Sequence, residues 1–115
     1  MTDIKSLTKR IIAFRDARDW KQFHNPKDLA ISLTLEATEV LEHFQWKSEK
    51  EIQEYVKTNK DEIADELADV LNYLLIMSHD LGIDILKAEE KKVSKNEAKY
   101  PVEKAKGKHT KYNKL

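Results

Sequence analysis

Apolar residues recur along the chain at helical intervals, not alternating ones. From about Asp3 to Arg18 they fall at Ile4, Leu7, Ile11 and Phe14, which predicts a first amphipathic helix. Asn25-Pro26 opens a second, since Asn accepts a hydrogen bond from an orphan N–H and Pro fits the first helical position. Its stripe is Leu29, Leu33, Val40 and Phe44. Ser48-Glu49-Lys50-Glu51 is a capping box that begins a short helix to about Thr58. A long helix follows from about Lys60 to Leu81. Its stripe is Ile63, Leu67, Val70, Leu74, Met77 and Leu81, and Gly82 takes the left-handed position that ends it. Leu75 and Ile76 fall on other faces, so this helix is apolar around much of its circumference, as one shared between a core and a subunit interface would be. Asp84 caps a last long helix, about Ile85 to Lys99, which Pro101 stops. The pattern predicts an all-α fold of the four-helix-bundle type, assembled as an oligomer. One helical domain covers residues 1–100, and a Lys-rich tail covers 101–115.

Composition narrows the function. The 115 residues are room for one domain, and two Gly and two Pro are too few turn formers for a sandwich or small barrel. With no cysteine, disulfides, thiolate zinc sites and cysteine nucleophiles are excluded. The stretch Met1 to Phe14 carries Asp3, Lys5, Lys9 and Arg10 and has no apolar run long enough for a signal or a membrane span. A cytoplasmic protein with no membrane partner is expected. The formal net charge of zero argues against a uniformly basic nucleic-acid binder. It conceals a split, however. Residues 1–90 hold 12 basic and 19 acidic side chains, a balance of −7, and residues 91–115 hold nine Lys against Glu97 and Glu103, a balance of +7. A solvated lysine tail is the plain reading; an anionic ligand at the basic end is the functional one.

Two acidic pairs carry the candidate chemistry. At about 100° per residue, Glu36 falls inside the apolar stripe of the second helix, between Leu33 and Val40. Glu39 lies at the stripe margin beside Ser32 and His43, whereas Glu42 points away. A carboxylate facing a core is costly unless paired, protonated or bound to a metal. On the long helix, Glu62, Glu66, Asp69 and Tyr73 share one flank of the stripe. Glu36/Glu39 and Glu66/Asp69 are thus i, i+3 pairs, each projecting from neighbouring turns. If the two helices pack antiparallel, four carboxylates meet. Oxygen-only ligands suit Mg²⁺ or Mn²⁺ and not zinc. A di-iron bundle needs Glu-x-x-His on two helices, and the residues three after Glu36 and Glu66 are Glu and Asp.

Glu36-x-x-Glu39, a spacer of 26 residues and Glu66-x-x-Asp69 resemble the metal motif of the all-α nucleoside triphosphate pyrophosphohydrolases, the MazG-like superfamily. Arg18-Asp19-Trp20-Lys21-Gln22-Phe23-His24, Glu42-His43-Phe44-Gln45-Trp46-Lys47, Asp65-Glu66-Leu67-Ala68-Asp69-Val70 and Lys99-Tyr100-Pro101 are similar to blocks of its dCTP pyrophosphatase branch. The likeness runs from about Leu7 to Leu115. It implies Mg²⁺-dependent hydrolysis of a nucleoside triphosphate, such as dCTP or a modified cytosine derivative, to the monophosphate and pyrophosphate, in the service of nucleotide-pool cleaning. By the same resemblance Glu36, Glu39, Glu66 and Asp69 would ligate the metal. His24, Trp46 and Tyr73 would surround base and sugar, with Trp20 helping to wall the pocket, and Lys92, Asn96, Lys99 and Tyr100 would contact the phosphates. Assembly would be a homotetramer, or a dimer. The segment between Trp46 and Glu62, shorter here than in animal members, borders the pocket mouth and bears on base preference. Glu39, nearer solvent than Glu36, is the candidate to take a proton from the attacking water. Two other readings stand beside this one: a broad-specificity MazG-like hydrolase, and a helical module that binds nucleotide without turnover.

Overall fold

Most helices begin where a side chain can satisfy free N–H groups. In the computed structural model, which describes residues 2–115, α1 (Ile4–Ala17) starts at Asp3. The Asp3 carboxylate accepts the Ser6 N–H at 2.7 Å, and Ser6 Oγ accepts from the Asp3 N–H in return. Asn25 accepts the Asp28 N–H at 2.8 Å to open α2 (Pro26–Glu42). The Ser48–Glu51 box opens α3 (Glu49–Thr58), and α4 (Lys60–Asp80) follows after Asn59. Asp84 caps α5 (Ile85–Lys99), and α6 is the single turn Val102–Ala105. Short 3₁₀ turns at Lys21–Phe23 and Tyr112–Lys114 were not signalled by periodicity. Met1, the first residue of the expected domain, lies outside the described residues. Among the described residues there is no strand, and no helix is long and apolar enough to cross a membrane.

The chain divides into two compact units, Met1–Gly82 and Ile83–Leu115. The expected boundary at residue 100 falls within the second unit. In the first unit α4 is the hub, with α1, α2 and α3 all packed on it and α2 over the longest stretch. His24, before α2, meets Tyr73 of α4, while Glu36 and Glu39, further along α2, meet Glu66 and Asp69, earlier on α4. α2 and α4 are therefore antiparallel.

The core sits at the far end of α4, rotated from the face the periodicity suggests. Leu75 is 1% exposed and Ile76 is also buried, together with Leu29 of α2. Leu67, expected in the stripe, is 54% exposed, and Leu81 is exposed too. Helical spacing finds an apolar face but not which of several faces a neighbour covers, and α4 has apolar residues on nearly every side. α1 shows the same rotation: Phe14 is exposed, and Arg15 is the buried residue. Ser78, buried on α4, returns its hydroxyl hydrogen bond to the Leu74 carbonyl at 2.7 Å, so no donor is stranded.

In the second unit, α5 carries its lysines on solvent, and the tail packs through aromatic contacts. The Tyr112 ring stands edge-on to Tyr100, with ring centroids 6.2 Å apart, and the Lys99 ammonium lies 4.8 Å above the Tyr112 ring.

Candidate functional site

The i, i+3 spacing puts each acidic pair on one helix flank, and the antiparallel packing of α2 on α4 turns the two flanks toward each other. One carboxylate oxygen from each of Glu36, Glu39, Glu66 and Asp69 lies within 4.8 Å of the others. Glu36 and Glu66 are half-buried; Glu39 and Asp69 are exposed. Glu66 Oε2 is shut off from solvent with no hydrogen-bond partner, a costly state for a carboxylate oxygen unless a cation or proton occupies it. Burial, and then the hydrogen-bonding contact and negative charge of Glu39, push Glu36 from 4.5 up to about 7. The charges of Asp69 and Glu66 add to the same effect. Glu66 is raised as well, first by its hydrogen-bonding contact with Glu39 and then by burial, while His43 opposes the rise. Near neutral pH Glu36 is therefore only partly ionised, and the cluster offers oxygens that either a proton or a cation could satisfy.

The residues fit a small divalent ion. Opposite oxygens around Mg²⁺ stand about 4.2 Å apart, twice the usual Mg–O distance. A set already within 4.8 Å is on that scale. The donors are all carboxylates, which favour Mg²⁺ or Mn²⁺. Glu62, one turn before Glu66, is exposed and stands outside the four-residue group.

A second cluster lies at the other end of the α2–α4 contact. The His24 ring stands edge-on to Tyr73, with centroids 6.5 Å apart, and its Nδ1 is buried without a partner. Burial, and then the nearby Arg15 guanidinium, hold this imidazole below its ordinary value, while Asp80 acts in the opposite direction. Trp20 is exposed and stands edge-on to Phe14 at 5.7 Å. Trp46 projects into solvent, 91% exposed, on a left-handed backbone (φ 69°) that a bulky residue rarely adopts. Lys92, Asn96, Lys99 and Tyr100 belong to the second unit; Lys92, Asn96 and Lys99 lie on exposed turns of α5, and Tyr100 is its C-cap.

Sequence reasoning missed the Arg15–Asp80 ion pair. Arg15 is 1% exposed, and its Nη1 donates to Asp80 Oδ2 at 2.7 Å. The available signal was an arginine four residues after Ile11, on the apolar side of α1. The contact of His43 with Tyr55 was likewise not signalled by the sequence. His43 is half-buried, and its Nδ1 is 2.6 Å from the Tyr55 hydroxyl.

Comparison with known proteins places the chain beside one group. The profile of the MazG-like family matches residues 31–115. The dCTP pyrophosphatase 1 of Rattus norvegicus is 36% identical over 104 residues, and that of Homo sapiens is 35% identical over the same length. These alignments cover 89% of this chain and 61% of each relative, so the chain spans about three fifths of the length of these curated relatives. The crystal structure of a pyrophosphatase from Archaeoglobus fulgidus DSM 4304 superposes with a TM-score of 0.82 at 40% identity. That superposition covers 88% of this chain and 94% of the archaeal one.

Proposed function

The chain belongs to the MazG-like family, and on that premise we propose that it is a nucleotide pyrophosphohydrolase. It cleaves a nucleoside triphosphate between the α and β phosphates, with dCTP or a modified dCTP as substrate. The observation that carries this reading is the convergence of Glu36, Glu39, Glu66 and Asp69 from two antiparallel helices. Similarity to named dCTP pyrophosphatases supports the choice of substrate.

Glu36, Glu39, Glu66 and Asp69 would hold a divalent cation, Mg²⁺ or Mn²⁺, which when bound supplies charge neutralisation on the phosphate oxygens and Lewis acidity. The protein's own share is positioning and proton handling, because phosphoryl transfer leaves it little covalent work. Glu39, exposed at the edge of the cluster, accepts a proton from the attacking water. The new P–O bond forms as the anhydride bond breaks, giving the monophosphate and pyrophosphate. His24 and Tyr73 form one wall for base and sugar, with Trp20 beside it and Trp46 supplying a stacking face. Lys92, Asn96, Lys99 and Tyr100 would contact the phosphates, the lysines offsetting the charge of the triphosphate, which gives the −7/+7 asymmetry a purpose. A homotetramer, supported by the exposed apolar side chains Ile31 and Leu35 of α2 and Leu67 of α4, and a cytoplasmic role in cleaning the nucleotide pool complete the reading.

Pyrophosphate release from a panel of ordinary and modified triphosphates, with Mg²⁺, Mn²⁺ or EDTA, tests it. Release is expected with divalent cation only, and fastest with a cytosine deoxynucleotide. No release from any triphosphate, while nucleotide still raises the melting temperature, would leave a binding module instead.

A further inference from the structure

The segment Arg18–His24, which carries two of the pocket residues, is hung on one buried arginine. The Arg15 carbonyl accepts the N–H groups of both Arg18 and Trp20 at 3.2 Å, closing the end of α1. Asp19 between them takes a left-handed backbone (φ 55°), and the Gln22 amide holds it by donating to the Asp19 carbonyl at 2.9 Å and to its carboxylate at 3.1 Å. The chain then turns through Phe23 N–H to Trp20 carbonyl and His24 N–H to Lys21 carbonyl, both at 3.0 Å. Meanwhile the Arg15 guanidinium spans two acids, donating from Nε to Asp16 at 3.1 Å and from Nη1 to Asp80 at 2.7 Å. The Arg15 backbone thus closes the connector onto the end of α1, and its side chain ties that same point to the end of α4.

A buried ion pair is a poor way to gain stability, since well-packed apolar residues of similar volume usually do as well or better. What a two-point guanidinium offers instead is geometry: its planar fork fixes both partners at once. His24 lies near enough to feel both charges, and its ring rests against Tyr73 with Nδ1 unpartnered.

We infer that Arg15, locked by Asp80, is a positioning residue that sets the place of Trp20 and His24 relative to α4, and so the shape of the nucleoside end of the pocket. Its kinetic consequence rests on the pyrophosphohydrolase reading; its structural consequence does not. The test replaces the pair by apolar residues of similar size, Arg15→Met with Asp80→Leu, in the full chain, alongside Arg15→Lys. His24 ring resonances, assigned with His24→Gln, are followed by NMR with those of His43 as an internal reference.

In the double variant the His24 signals move toward those of a free imidazole while His43 stays in place. KM rises about tenfold, the worth of one hydrogen bond to the ligand, with a smaller change in kcat. Arg15→Lys, which keeps the charge without the fork, falls between, and it carries the same readings if the double variant does not fold. Unmoved His24 signals would overturn the inference, as would His24 and His43 moving together, or a loss of kcat and Mg²⁺ affinity with KM unchanged. If the unaltered protein hydrolyses no triphosphate, the pyrophosphohydrolase reading fails, and the His24 resonances still decide this one.

Discussion

Replacing Glu36 by Gln should stabilise the metal-free protein at neutral pH and remove most of the stability it gains from Mg²⁺. In the folded chain Glu36 titrates at about 7 instead of 4.5 because it is half-buried among three other carboxylates. A group whose folded pKa is raised contributes its full stability below the unfolded value and loses it as pH rises through the folded one. The window is therefore about pH 4.5 to 7, and stability falls with rising pH across it. At 1.36 kcal/mol per pH unit the interval is worth at most about 3.4 kcal/mol. Solvent reaches part of the cluster and screens roughly half of that, which leaves about 1–2 kcal/mol. For a chain of this size that is about 4–8 °C in Tm. Gln keeps the shape and hydrogen-bonding capacity but cannot ionise, so the penalty above pH 7 disappears.

The assay is thermal unfolding by circular dichroism in EDTA from pH 4.5 to 8, repeated with Mg²⁺. The two proteins should coincide near pH 4.5. At pH 8 the variant should melt higher without metal, and the unaltered protein should regain the difference when Mg²⁺ is added. Parallel melting curves at every pH, or a variant less stable at pH 8 in EDTA, would refute the account of Glu36 as a carboxylate strained by its neighbours.

Glu39→Gln should lower kcat for pyrophosphate release by about 10²–10⁴, the usual contribution of a positioned general base, with the helical circular dichroism spectrum retained. Arg15→Ala should cost about 3–5 kcal/mol in denaturant unfolding because it strands Asp80. Asp80 is a separate check on sign. Burial alone would raise its pKa, but the hydrogen bonds from Arg15 and His79 and their charges hold it below the ordinary carboxylate value. The stability of that pair should therefore persist above the ordinary range and vanish only as pH falls through the lowered value, which acid unfolding of the unaltered protein and Asp80→Asn would reveal. Leu75→Ala should cost about 2–5 kcal/mol and Leu67→Ala under about 1 kcal/mol in the protomer, measured by urea unfolding, because only the first side chain is enclosed.

Much of the helical organisation and the acid constellation was legible before any coordinates, because both depend on short-range rules. The caps at Asn25, Ser48 and Asp84 act over three residues, and the Gly82 turn needs a positive φ that its lack of a side chain allows. An i, i+3 spacing on a helix fixes a common flank whatever surrounds it. Thus each acidic pair was readable, and so was their meeting, once antiparallel packing was supposed.

Properties that depend on which surface meets which were not legible. Periodicity placed Leu67 in the core and Leu75 outside it, and tertiary packing reversed them, because α4 has apolar side chains on several faces and only a neighbour selects one. Arg15 stands on the apolar side of α1 in the sequence, but only the arrival of Asp80, 65 residues later, makes it a buried anchor. The rise of Glu36 to about 7 likewise belongs to no residue alone: Glu39 is its neighbour on α2, but the burial and the charges of Glu66 and Asp69 come only when α2 lies against α4. Local hydrogen bonding and helix pitch are properties of neighbours in the chain, and the sequence determines them directly. Burial and electrostatic environment are properties of neighbours in space, and only the assembled helices decide them.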